Sequence, residues 1–112
     1  MKSELTALSD TLRDFAAARG WRAYHTPKNL AMSMAIEAAE LMEHLQWVDV
    51  AESRALLQDP DGRSAVGSEL ADVLAYCLSL ASIGGYDVTT ILRAKMAANA
   101  RKYPVERYRG HY

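Results

Sequence analysis

Two carboxylate pairs of identical spacing, Glu37/Glu40 and Glu69/Asp72, stand inside the two most apolar stretches of the chain. An ionised carboxylate among alanines, leucines and methionines is costly to bury unless a cation or a hydrogen-bond network compensates it. The pairs therefore constrain the fold. Either these acids stay in water, or the two stretches bring them together around positive charge. The flanks favour the second arrangement, because Leu30 to Ile36 and Val73 to Tyr86 contain no charged residue. A three-residue acidic spacing is common on solvated helices, but solvated helices carry charge on neighbouring turns as well.

Both stretches read as helices. Half of the 112 residues are hydrophobic and only 8% are aromatic, and the excess is alanine, leucine and methionine, which favour helix over strand. Leu5, Leu8, Leu12 and Phe15 recur at helical spacing over residues 4 to 19, with Ser3 placed to cap them and Gly20 to end them. Trp21 to Pro27 reads as a loop, since the residue before a proline is pushed out of the α region. A second helix is expected from Lys28 to Trp47, apolar on more than one side, and a short one from Asp49 to Leu57. Asp59, Pro60, Asp61 and Gly62 give a turn signal. A further apolar helix follows from Ser64 to Ile83, closed by Gly84 and Gly85. The last runs from Asp87 to Tyr103 before Pro104, and Val105 to Tyr112 reads as a tail.

The expected fold is all-α: a single domain over residues 1–112, an antiparallel bundle of four to five helices completed by oligomerisation. The net charge of -1 gives no electrostatic case for binding nucleic acid or a membrane surface. The uncharged run Val73 to Tyr86 is too short to span a bilayer, and the start of the chain lacks signal-peptide character. A lone Cys77 in an apolar run excludes a disulfide framework and fits a reducing, cytosolic location.

On a helix, residues three apart share a face, so each pair supplies half of a site and an antiparallel arrangement makes four acids converge. Hard oxygen ligands select magnesium, with manganese as a substitute, over zinc. Glu43 continues the first acidic stripe as a secondary candidate. A ferritin-like di-iron centre requires Glu-x-x-His motifs, which are absent: His44 follows Glu40 by four residues and reads as ordinary surface.

The segment WRAYHTPKNLAMSMAIEAAELMEHLQW from Trp21 to Trp47, SELADVLAY from Ser68 to Tyr76 and KMAANARKYP from Lys95 to Pro104 resemble the MazG-like nucleotide pyrophosphohydrolases, most closely their dCTP pyrophosphatase branch. The family's acidic motifs are EExxE and ExxD. Here the first reads Ile36-Glu37-Ala38-Ala39-Glu40 and lacks the leading acid, a position that is not a required ligand in that branch. The resemblance implies an all-α dimer or tetramer whose magnesium is bound by Glu37, Glu40, Glu69 and Asp72. The implied reaction is housecleaning hydrolysis of a nucleoside triphosphate between its α and β phosphates, with Glu37 or Glu40 as catalytic base.

It also implies a base pocket of Trp21, Trp47 and Tyr76 with His25 in the entry loop. Lys95, Asn99, Lys102 and Tyr103 would contact phosphate and sugar, with Lys28, Arg109 and His111 as weaker phosphate candidates. The implied substrate is dCTP or a modified pyrimidine relative. A dUTP- or phosphoribosyl-ATP-directed enzyme is the alternative within the superfamily, and a non-catalytic helical interaction module the alternative outside it.

Overall fold

The computed structural model describes residues 1–111, and among them there are six α-helices, one 3₁₀ turn and no strand. α1 covers Glu4–Ala18, with the Ser3 hydroxyl accepting from the Thr6 amide at 3.1 Å. The expected loop contains a 3₁₀ turn, Arg22–Tyr24. α2 covers Pro27–Glu43, capped by the Thr26 hydroxyl, which accepts from the Asn29 amide at 3.2 Å. Asn29 Nδ2 in turn donates to the Tyr24 carbonyl at 2.9 Å, tying the loop to the helix start.

α2 is shorter than its sequence pattern. It ends at Glu43, where its hydrogen bonds tighten: the His44 amide donates to Leu41 and the Leu45 amide to Met42. The reason lies just downstream. Asp49 caps α3, Val50–Leu56, by accepting from the Glu52 amide at 2.8 Å, and it must be extended to do so. Trp47 is thereby moved off the helix into a turn. The opposite happens at α4, Pro60–Gly84, which absorbs the expected turn residues. Asp59 accepts from the Gly62 amide at 3.0 Å and Pro60 takes the first helical position, where its missing N–H is no loss. A methyl group at Gly62 would sit 2.5 Å from the Leu56 carbonyl oxygen, so the α3–α4 junction closes only around glycine. Gly85, at φ +71°, ends α4 in the left-handed conformation. α5 covers Val88–Lys102, and the expected tail contains a short α6, Val105–Tyr108.

α4 is the hub. α2 lies along it, α1 packs on it more lightly, and the remaining helices touch the others sparsely. His44 pairs with Glu69, Glu37 feels Asp72, and Ser33 shares a cavity with Tyr76. Residue numbers rise on one helix as they fall on the other, so α2 and α4 run antiparallel. The buried hydrophobic core is small: Ala16, Leu30, Leu78 and Ala81. α4 is long and apolar enough, by length and composition, to cross a membrane. Its mid-helix acid Glu69 lies instead against the acids of α2.

The chain is open for its size. Its radius of gyration is 17.1 Å, against about 13 Å for a compact domain of this length. Its accessible surface is 8934 Å², against about 6,100 Å² for a compact monomer of this mass. Ile91, Leu92 and Met96 on α5 and Leu70 and Leu74 on α4 remain exposed.

Candidate active site

The facing stripes of α2 and α4 bring ligand atoms of Glu37, Glu40 and Glu69 within 4.8 Å of one another. All three are half-buried. Asp72 is exposed and stays outside that group, although its charge still reaches Glu37. Of the four acids expected to converge, Glu37, Glu40 and Glu69 form the close group and Asp72 does not join it. Glu43 is exposed and does not join.

The electrostatics are those of crowded acids. The Glu37 carboxyl is pushed up to about 7, chiefly by a hydrogen bond with Glu40, then by desolvation, then by the charges of Glu40, Asp72 and Glu69. One oxygen of Glu37 and one of Glu69, Oε2 in each case, are buried without a hydrogen-bond partner. Buried acceptors of this kind are rarely left unmatched. Two buried carboxylate oxygens without a hydrogen-bond partner, beside a third glutamate, suit a hard divalent cation.

A cavity of about 430 Å³ lies between the loop, α2 and α4, its lining reaching Ile36, the residue before Glu37. Trp21, Tyr24 and His25 from the loop form one wall, Asn29, Leu30, Met32, Ser33 and Ile36 of α2 a second, and Tyr76 of α4 a third. Ser33 lies one helical turn before Glu37 and Tyr76 one turn after Asp72, so cavity and acids share a face of the helix pair. Trp21 is held by Phe15, edge to face, with Arg19 stacked on the Phe15 ring at 3.5 Å.

Three of the expected pocket residues, Trp21, His25 and Tyr76, line this cavity, and the fourth does not. Trp47 is 88% exposed, on the turn that ends α2 early. The α5 residues Lys95, Asn99, Lys102 and Tyr103 also lie outside it, and α5 packs too sparsely to bring them to the acids of the same chain. Lys28, Arg109 and His111 are exposed and do not line the cavity. Sequence reasoning missed Tyr24, Asn29 and Ser33. Ser33 was legible, since it sits four residues before Glu37 on the same helical face. His44 is exposed, as expected, but its Nε2 lies 3.7 Å from Glu69 Oε1.

The chain is similar to several known proteins. The dCTP pyrophosphatase 1 of Rattus norvegicus is 38% identical over 97 residues, covering 87% of this chain and 57% of that protein. The Homo sapiens protein of the same name is 37% identical over 91 residues, covering 81% and 54%. The chain thus spans little more than half the length of these relatives. A pyrophosphatase from Archaeoglobus fulgidus DSM 4304 superposes with a TM-score of 0.84 at 42% identity, covering 93% of this chain and 95% of that one. The MazG-like family pattern matches residues 32–111, a span that contains both acidic pairs and all of α4 and α5. By sequence pattern, by relatives and by fold, the chain belongs to the MazG-like family.

Proposed function

We propose that this chain hydrolyses a nucleoside triphosphate between its α and β phosphates, releasing the monophosphate and pyrophosphate, with dCTP or a modified pyrimidine deoxynucleotide as substrate. One observation carries the reading: the cluster Glu37, Glu40 and Glu69 opens beside an aromatic-walled cavity of about 430 Å³, within the range of small-ligand sites. Acids for the phosphate end and rings for the base end stand where a nucleotide needs them. The dCTP pyrophosphatase relatives favour a cytosine base.

Glu37, Glu40 and Glu69 would hold magnesium, or manganese, with Asp72 at the rim. When bound, the ion supplies neutralisation of phosphate charge and an acidified water. The protein's own residues do the rest. Glu40 or Glu37 accepts the proton of the attacking water, a role suited to a carboxyl whose environment already lifts it towards neutrality. Trp21 and Tyr76 offer ring faces to the base, and His25 at the cavity edge offers a polar contact.

A homo-oligomer, dimer or tetramer, would let Trp47, Lys95, Asn99, Lys102 and Tyr103 of a second chain complete the site, a reading supported by their position outside the cavity lining. The surface beyond that of a compact monomer, about 2,800 Å², is what an obligate interface would cover. A cytosolic location fits the lone Cys77, which forms no disulfide. Purified protein with magnesium is assayed against dCTP, dUTP, phosphoribosyl-ATP and modified pyrimidine deoxynucleotides, with products separated by chromatography. Pyrophosphate and dCMP are expected; orthophosphate, or no product from any of them, rules the reading out.

A further inference from the structure

His44 lies at the end of α2, 3.7 Å through Nε2 from Glu69 Oε1, and no lysine or arginine pairs with Glu69 among the described residues. The two oxygens of Glu69 are divided: Oε2 is buried and unpartnered, while Oε1 lies next to the imidazole. Glu69 is also the only member of the three-glutamate group supplied by α4, so its carboxylate plane decides whether the two helices present one site or two halves.

We propose that His44 is a positioning residue for Glu69, holding Oε1 so that Oε2 is left to face Glu37 and Glu40. The inference rests on the metal reading of the acid cluster. The chemistry is that of an outer-sphere partner. A carboxylate rotates about its last bond unless one oxygen is fixed, and partners that fix a ligand are worth about tenfold or more in metal affinity. At 3.7 Å the contact is longer than a hydrogen bond. His44 itself stays half-exposed at the rim, with 36% of its side chain in solvent. It lies outside the group whose ligand atoms share 4.8 Å, so it supports the site without belonging to it.

Binding of Mn²⁺ alone, without nucleotide, tests this, with the free ion counted by electron paramagnetic resonance. H44A should bind about tenfold more weakly than the unmodified protein. H44Q, which places an amide N–H near the Nε2 position, should recover most of the affinity. Circular dichroism of the metal-free variants checks that both fold. Equal affinity in H44A and the unmodified protein, or an H44Q as weak as H44A, overturns the assignment. If the unmodified protein itself binds no Mn²⁺, the metal reading of the acid cluster fails, a result distinct from failure of the role of His44.

Discussion

Trp21 meets Phe15 edge to face, with ring centroids 5.8 Å apart and planes at 69°. This contact fastens the loop wall of the cavity to α1, a helix that contributes no residue of its own to that cavity. Aromatic pairs of this geometry contribute about 1 kcal/mol beyond their buried area. F15A is therefore expected to lower stability by about 1 kcal/mol and to raise KM for nucleotide several-fold while leaving kcat nearly unchanged. Steady-state kinetics and thermal unfolding of the same preparation check this. A lowered kcat at constant KM would place the effect on the chemistry instead.

E37Q removes one of the crowded charges. The metal-free variant should melt at a higher temperature than the unmodified protein near pH 8, because the repulsion among Glu37, Glu40, Glu69 and Asp72 is relieved. It should also lose the stabilisation that magnesium confers, which at a hundred times the dissociation constant is about 2.7 kcal/mol. Differential scanning calorimetry with and without magnesium reads both effects. A variant less stable than the parent in the absence of metal contradicts the repulsion account.

The pH dependence has a definite sign. Glu37 titrates at about 7 in the folded, metal-free protein against an ordinary value of 4.5, so between these two values the folded state holds more protons than the unfolded one. This group's contribution is fully present below 4.5 and lost as pH rises through about 7. Melting temperatures measured in chelator should fall more steeply over that window for the unmodified protein than for E37Q. Parallel curves would show that Glu37 does not carry the linkage.

The rim position of Asp72 separates it from the three glutamates. E40Q should lower kcat by about 10²- to 10⁴-fold, the range for a lost proton acceptor. D72N should weaken magnesium binding less than E69Q does, since only Glu69 joins the close group. Calorimetric titration with magnesium ranks the variants, and an equal loss in D72N and E69Q would return Asp72 to the inner set.

Leu92 is 58% exposed on α5, beside Ile91 and Met96. If a second chain covers that face, L92E should shift the particle mass in light scattering towards a single chain and reduce activity in proportion. An unchanged mass would remove α5 from the interface.

The helices were legible wherever a cap and an apolar period agreed, as with Ser3 and α1. They were misjudged where a polar residue had two uses. Asp59 and Pro60 signal a turn by composition, but the same pair starts a helix when a downstream amide is within reach of the aspartate. Glu43 to Trp47 continues the apolar period of α2, yet the chain must extend to let Asp49 cap α3, and no periodicity encodes that competition. Within the site, the three-residue spacing puts Glu37 and Glu40 on one face of α2, and Glu69 of α4 comes to meet them. The distance across two helices, which leaves Asp72 out of the close group and sets His44 beside Glu69, depends on side-chain length and helix offset. A linear pattern holds neither.

The missing side chain at Gly62 fixes the phase of α4. The helix starts at Pro60 because α3 turns back against it there, with the Leu56 carbonyl filling the space a methyl would need. Each residue of a helix turns by about 100°, so a start displaced by one position would swing Glu69 away from α2 by more than a quarter turn. A close approach seven residues upstream thus acts as the rotational stop that keeps the two halves of the acid cluster in register.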